Sequence, residues 1–262
     1  RFIETEADNM AWVGGVDWGF CGLDAAYAES LLEDRPGAYR RKRRVYQTAV
    51  GPFEAITRHF YPHVDSPDFH WERRYIHTLD DMARLAQAPR AARPFARSVW
   101  DAGVAKIGGR GLPVCGLFHP LGWLVRQADT EEVYGWLMAE PDILHGFLAN
   151  ATRQIVETIR AIGAAGVAPW FAVTAHEMLI PPWLGMAHFD EWVVPYDQAV
   201  NEAVHRIGGK VRAHCHGNCM AYLERMAAMG VDAIEPLEAP PYGDVDLKEA
   251  KRRVGGRLVL SG

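Results

Sequence analysis

The stretch "KVRAHCHGNCMAYLERMAAMGVDAIEPL", residues 210–237, decides the fold. Its apolar pattern predicts a strand over "KVRAHCHG" and a helix over "MAYLERMAAMG" that ends at Gly230. A second strand, "VDAIEPL", follows at once. A strand, a helix and another strand at this spacing indicate a βαβ unit, in which the two strands run parallel.

The same alternation of strands and helices runs through the second half of the chain. Strands that are apolar throughout and separated by helices are typical of a parallel sheet covered by helices. The uniform length of the units, without a glycine-rich phosphate fingerprint, favours an α/β fold of the (β/α)8 barrel type over a doubly wound sheet. The further strands are predicted at 112–118, 169–179 and 257–262, and the further helices at 140–166, 187–209 (with a break at Pro195) and 246–256.

The first hundred residues carry weaker patterns. Thr78, followed by Asp81, predicts the N-cap and a near capping box of a short helix over residues 78–89. The other stretches are assigned as strands or hairpin arms at 10–22 and 45–56, a long ordered loop at 59–78, and a basic run at 40–44 on a solvated helix face.

Composition limits the classes of function. The chain has 262 residues, of which 49% are hydrophobic, and a net charge of −5, so we expect one globular domain over residues 1–262 that binds no nucleic acid. No apolar run reaches the roughly 18 residues of a membrane span. Four cysteines do not make a disulfide framework in a chain of this length, so a reducing cytoplasm is expected. Because the chain starts at Arg1 and ends inside a strand pattern, we expect a barrel that is truncated at both ends.

His214 and His216 carry the strongest chemical signal. Side chains two apart on a strand point to the same face, so both imidazoles can converge at the mouth of a barrel, while Cys215 points outward as a small buried residue. Two imidazoles so placed can bind a divalent metal, which needs further ligands, or they can hydrogen-bond substrate carboxylates without a metal. The residues leave both alternatives open.

Other candidates follow the neighbouring strands. His176 and Glu177 end one strand and are assigned to catalysis, with Glu177 as a further metal ligand or a general base. His119 and Glu238 follow two other strands and are assigned to cofactor binding. The remaining polar residues near strand ends are expected to be structural: Glu235 as an acceptor that stabilises a loop, Cys219 as a buried thiol, and Asp17 as a turn residue.

Residues 113–262 resemble the uroporphyrinogen decarboxylase superfamily. "HCHGN" is similar to the family's His-x-Cys-Gly-Asn strand end, and "IEPLE" to a strand that ends in "nplE". "DEWVVPYDQAVNEAVHRIGGKV" and "CGLFHPLGWL" also resemble family segments. The resemblance implies a (β/α)8 barrel whose site lies at the carboxyl ends of the strands.

The superfamily implies two chemistries. Cobalamin-dependent methyltransferases bind zinc through His-x-Cys and a later Cys. Here His214 matches the family's His, and His216 stands where the family has Cys. The resemblance therefore implies zinc-assisted methyl transfer between a small methylated compound, a corrinoid protein and a thiol or folate acceptor, with His214, His216 and Glu177 as metal ligands. Members are often homodimers.

Two alternatives stay open. The first is a metal-free decarboxylase acting on a porphyrinogen, in which the two histidines bind acetate groups or relay protons; the Arg-rich motif of those enzymes is not found here. The second is a barrel that binds a tetrapyrrole or corrinoid partner without turnover, because a barrel does not by itself imply an activity.

Overall fold

A computed structural model describes residues 9–16, 27–66, 68–89 and 95–262. The chain forms two compact units, here called the parallel unit (described residues 9–16, 95–122 and 152–262) and the antiparallel unit (27–66, 68–89 and 123–151). Whether they fold as one domain stays a prediction. In chain order the elements are β1 (Asn9–Trp12), β2 (Tyr27–Arg35), β3 (Tyr39–Thr48), β4 (Gly51–Phe60), β5 (His70–Arg73), α1 (Leu79–Leu85), α2 (Arg97–Ile107), β6 (Gly111–Leu117), α3 (Pro120–Gln127), α4 (Thr130–Ala139), α5 (Pro141–Ala164), β7 (Trp170–Val173), α6 (Met186–Trp192), α7 (Val194–Arg206), β8 (Lys210–His214), α8 (Leu223–Ala228), β9 (Ala233–Glu235), α9 (Leu247–Val254) and β10 (Val259–Leu260), with short 3-10 turns at His176–Leu179 and Met220–Tyr222.

The parallel unit is built on a six-stranded sheet. Its strands lie in the order β1-β6-β7-β8-β9-β10, and each neighbouring pair is parallel. Spatial order therefore follows chain order without a reversal, which is the winding of a barrel rather than of a doubly wound sheet. Within the described residues β1 and β10 do not pair, so the sheet is open and an eight-stranded closure is not seen.

Strand β8 shows how the sequence divides its two faces. Val211 and Ala213 are buried, whereas Lys210, Arg212 and His214 are half-buried or exposed. This alternation has the period of two that a strand imposes, so basic side chains share one face and apolar ones the other. The neighbouring β7 and β9 are mostly buried, as expected for strands inside a parallel sheet.

Several sequence predictions for residues 112–209 are confirmed. A strand covers most of 112–118, and one long helix covers 141–164. The predicted break at Pro195 divides α6 from α7, because proline fits the first turn of a new helix but not a helix interior. The strand predicted over 169–179 is wrong in length: it ends at Val173, and the backbone of Ala175 then turns into the left-handed region at φ 79°.

The antiparallel unit begins with a sheet in the order β2-β3-β4-β5. The strands expected over 45–56 are confirmed as the end of β3 and the start of β4. The loop expected over 59–78 is partly wrong, because it contains the end of β4 and all of β5. Helix α1 begins as predicted, with the Thr78 hydroxyl accepting from Asp81 N and the Asp81 carboxylate closing the capping box.

The helix predicted for the basic run 40–44 is wrong. The run was expected on a helix face, but it lies in β3, between β2 and β4. Acidic residues on the other strands of this sheet hold it there, since Arg41 pairs with Glu33 and Glu72, and Arg44 pairs with Glu29. Cross-strand charge pairing, which is not local in sequence, decides the structure of this run.

No helix among the residues that the structure describes is long and apolar enough to cross a membrane.

Candidate functional site

The candidate residues gather where neighbouring parallel strands end. Strands β6, β7, β8 and β9 lie side by side, and their carboxyl ends therefore form one edge of the sheet. His119 and His176 come shortly after β6 and β7, His214 is the last residue of β8, and Glu235 is the last residue of β9. The structure divides these side chains into two groups, one half-exposed and one buried.

His214 belongs to the half-exposed group. Its Nδ1 donates to Oε1 of Glu235 at 2.7 Å, across the β8–β9 pair. Arg212 Nη1 lies 2.8 Å from the same Glu235 oxygen and forms an ion pair with it. Arg212 and His214 are two apart on one face of β8, so a guanidinium and an imidazole converge on one carboxylate oxygen.

His216 lies just beyond the end of β8 and has its own carboxylate. Its Nδ1 lies 3.0 Å from Glu238 Oε1, while Glu238 Oε2 accepts the backbone N–H of Gly217 at 2.8 Å. These two donors lower the pKa of Glu238, the Gly217 N–H having the larger effect. Gly217 has φ 81°, a conformation that favours glycine, and it turns the chain so that His216 faces Glu238.

The two histidines are neighbours in space. Their ring centroids are 4.6 Å apart and the rings are nearly perpendicular. Two imidazoles bound to one tetrahedral zinc through ~2.1 Å bonds have centroids about 5 Å apart. Each Nδ1 is engaged by a carboxylate, which leaves each Nε2 for a ligand, and this is the usual hydrogen-bonding pattern of metal-bound histidine.

Two nitrogen ligands do not complete a metal site. Among the described residues no group of three or more His, Cys, Asp or Glu side chains is arranged to hold a metal ion. The pair therefore fits part of a zinc site, and a third protein ligand stays a prediction. Glu177, predicted for that role, has an Oε2 atom that is buried and makes no hydrogen bond.

The cysteines of this loop are buried thiols. Cys215 and Cys219 are both inaccessible to solvent, as expected for Cys215 on the opposite face from His214 and His216. A hydrogen bond with Cys219 and burial hold the pKa of Cys215 well above its usual range. Cys215 is therefore a poor metal ligand, because metals bind the thiolate. The same hydrogen bond lowers the pKa of Cys219.

The buried group joins His119 and His176 to an aspartate that the sequence analysis missed. His176 Nε2 lies 3.3 Å and His119 Nδ1 3.8 Å from Asp197 Oδ2 in α7. The exposed fractions are 2%, 2% and 3%. A cavity of about 270 Å³ beside the strand ends is lined by Phe118 and Thr174, not by either histidine. His119 and His176 therefore face α7.

The imidazoles of this buried group are stacked. The rings of His119 and His176 lie 4.5 Å apart and only 18° from parallel. Stacked rings direct their in-plane lone pairs along parallel planes, so they do not converge on one metal ion. His119 Nδ1 also accepts the N–H of Gly122 at 3.1 Å, which places the proton of the neutral ring on Nε2. Burial lowers the pKa of His119 to about 4, although the Asp197 carboxylate opposes the shift.

The turn after β7 is strained. Ala175 is buried and has φ 79°, a region that residues with a Cβ adopt at a cost of about 1–2 kcal/mol. It stands directly before His176 and Glu177, and both of these carry a buried polar atom without a hydrogen bond, Nδ1 and Oε2 respectively. Strain beside unsatisfied polar groups is a feature of functional sites.

Two site residues had a sequence signal that could have been used. Asp197 occupies an apolar position of the helical pattern Val193, Asp197, Val200 and Val204, and a carboxylate at such a position needs a buried partner. Arg212 lies two residues before His214 on β8 and therefore on the same face, and the sequence analysis gave it no role.

Asp17, expected in a turn, lies outside the described residues.

Comparisons with known proteins indicate the family and the fold. Residues 71–262 match the family model for uroporphyrinogen decarboxylase (URO-D). No curated protein matches the chain. A solved methyltransferase from Methanosarcina mazei is 18% identical with a TM-score of 0.52, over 70% of this chain and 48% of that one. The chain therefore spans about half the length of that methyltransferase, and the likeness concerns the fold.

A second solved structure, a "putative phosphonomutase" from Burkholderia cenocepacia J2315, is 11% identical over 70% of this chain and 67% of that one. Its TM-score of 0.29 is too low to bear on the fold. The family model covers well over half of the sequence, including both groups of site residues, and the chain belongs to the uroporphyrinogen decarboxylase (URO-D) family.

Proposed function

We propose that the protein is a methyltransferase of this superfamily. It moves a methyl group between a small methylated compound, a corrinoid protein and a thiol or folate acceptor, with zinc held by His214 and His216. The parallel sheet is then part of a (β/α)8 barrel, for which the strand order and the family are the support. Free cysteines at 115, 215 and 219 are compatible with the cytoplasmic location that we include in this proposal. The homodimer that we also include rests on the family resemblance alone.

One observation carries the proposal. His214 and His216 stand side by side, and each is held through Nδ1 by a separate carboxylate, Glu235 and Glu238. This arrangement fixes both ring orientations and leaves two Nε2 atoms for a common ligand. A zinc ion there would supply a Lewis acid that lowers the pKa of a thiol or polarises a leaving group.

The remaining residues are given roles that follow from their positions. Glu177 Oε2 is buried and lacks a hydrogen bond, so we propose Glu177 as the third ligand or as the base that takes a proton from the acceptor. Glu238, which we expected to bind a cofactor, orients His216. His119 and His176 support the strand ends from the α7 side through Asp197.

A metal-free decarboxylase is the second candidate. It is favoured by the lack, in the part of the chain that the structure describes, of a third side chain grouped with the two histidines. The two His–Glu pairs would then relay protons or bind substrate carboxylates.

The first experiment is elemental analysis of the purified protein after incubation with Zn²⁺. We expect about one zinc per chain in the wild type and none in the His214→Ala/His216→Ala double variant. His205→Ala is the matched control, because His205 also pairs with a carboxylate, Asp232, at 2.8 Å but lies at the end of α7. No zinc in the wild type would rule out the zinc mechanism and make porphyrinogen turnover the next assay.

A further inference from the structure

Arg212 and His214 share one oxygen of Glu235. Arg212 Nη1 lies 2.8 Å and His214 Nδ1 lies 2.7 Å from Oε1. All three side chains are partly shielded from solvent, with exposed fractions between 18% and 29%. An ion pair in such surroundings is screened less than one at the open surface.

The contact selects one form of the imidazole. A carboxylate oxygen can only accept, so the His214 proton must be on Nδ1, and Nε2 then carries the lone pair. The Arg212 guanidinium, whose Nη1 lies 2.8 Å from the same oxygen, holds that oxygen in place by its charge. We propose that Arg212 is a positioning residue that acts through Glu235 to hold His214 with Nδ1 protonated and Nε2 turned to the ligand.

The proposal rests on the proposed function for what Nε2 binds, but not for the tautomer itself. Arg212 makes the contact with Glu235 through Nη1, and its buried Nε has no hydrogen bond. Arg212 therefore does not hold Glu235 in the bidentate fork that uses Nε. A lysine, which offers a point charge, should replace much of this contact, while an uncharged side chain should not.

The same part of the sheet provides a matched control. Lys210 pairs with Asp232 at 2.8 Å. Lys210 lies two residues before Arg212 on β8, and Asp232 directly precedes β9, so this ion pair joins the same chain segments. It differs in reaching neither Glu235 nor His214. Lys210→Met removes an ion pair of β8 but leaves the contacts among Arg212, Glu235 and His214 in place. Arg212→Met removes the ion pair with Glu235.

The test reads the tautomer of His214 by long-range ¹H–¹⁵N NMR of the metal-free protein near pH ~8, where an ordinary imidazole is neutral. The His214 signals are assigned by their loss in His214→Gln. We expect protonated Nδ1 in the wild type, in Lys210→Met and, largely, in Arg212→Lys. In Arg212→Met we expect a shift toward the Nε2-protonated form or a mixture. Circular dichroism checks that each variant is folded.

Three results would overturn the proposal. One is a wild-type His214 that is protonated on Nε2, which needs no variant to fold. The second is an Arg212→Met tautomer identical to that of the wild type. The third is a Lys210→Met tautomer that changes as much as that of Arg212→Met.

A second measurement separates this inference from the proposed function. Competition with a chelator gives the Zn²⁺ affinity of each variant, and we expect Arg212→Met to bind about tenfold more weakly than Lys210→Met, as for other outer contacts of metal ligands. If the wild type binds no Zn²⁺ but its tautomer depends on Arg212, the zinc mechanism fails and the role of Arg212 stands. If Zn²⁺ binds with equal affinity in both variants and the tautomer is unchanged, the role of Arg212 fails and the zinc site stands.

Discussion

The Asp197 carboxylate lies 3.3 Å from Nε2 of His176, and both side chains are almost completely buried. Asp197 stands in the first turn of α7, where the helix dipole favours a negative charge, and His176 follows β7. The contact therefore attaches the start of a helix to the end of a strand in the parallel unit.

Asp197→Ala should destabilise the protein strongly. Removal of the carboxylate leaves Nε2 of His176 without its polar partner in a buried position, and an unsatisfied buried polar group typically costs about 1–3 kcal/mol. Asp190→Ala is the control, since Asp190 pairs with Arg225 at an exposed position of α6 and should cost less than about 1 kcal/mol. Urea unfolding measures both, and equal losses would contradict a special role for Asp197.

Burial of neutral His119 should make stability depend on pH. The unfolded chain protonates this imidazole below an ordinary pKa of about 6.5, whereas the folded protein does so only near 4. The unfolded state therefore binds more protons in this window, and stability is complete above about pH 6.5 and falls as the pH drops toward 4. Between about pH 7 and pH 5 this one group should account for about 2 kcal/mol.

The measurement for His119 is the free energy of unfolding at several pH values for the wild type and for His119→Gln, whose side chain does not titrate. The wild type should lose more stability on acidification than the variant. Parallel pH curves would show that another group is responsible.

Gly122→Ala should displace His119. A Cβ at position 122 would lie 1.9 Å from Nε2 of His119, a ring that is held by its stacking on His176. Overpacking of this kind typically costs about 1–3 kcal/mol. Gly135→Ala, within α4, has open space for its Cβ and should be neutral or stabilising by about 0.5–1 kcal/mol. A loss of stability in Gly135→Ala as large as in Gly122→Ala would exclude the steric explanation.

Glu238→Ala should loosen the loop at Gly217. Its carboxylate accepts the Gly217 N–H, so loss of this acceptor should speed hydrogen exchange at that amide several-fold. Asp244→Ala is the reciprocal control, because Asp244 accepts the N–H of Met220 in the same loop. Glu238→Ala should speed exchange at the Gly217 amide, and Asp244→Ala should speed exchange at the Met220 amide. In the wild type, exchange at Gly217 should quicken as the pH falls through the lowered pKa of Glu238, after correction for the intrinsic rate.

The parallel unit could largely be predicted from local patterns. Its strands are apolar, its helices follow the helical period, and the break at Pro195 is where proline chemistry requires it. The antiparallel sheet could not be predicted in the same way. The basic strand β3 is held by glutamates as far away as Glu29 and Glu72, and no short window contains that information.

The candidate site likewise contains features that local patterns predict and features that depend on distant residues. His214 and His216 could be placed together, because a period of two needs only the strand. His119 and His176 could not, because their direction depends on a left-handed Ala175, on the missing Cβ of Gly122 and on Asp197 in a later helix.

The β8–β9 pairing has a further consequence for charge. A row of charged side chains follows β8 and β9. It contains two permanent cations, Lys210 and Arg212, and three carboxylates, Asp232, Glu235 and Glu238. With both imidazoles neutral, this row carries one negative charge in excess, and the excess lies at the carboxyl ends of the strands, beside His214 and His216. One added proton would neutralise the row and one divalent cation would reverse its sign, so the net charge that a substrate meets there depends on what the two histidines hold.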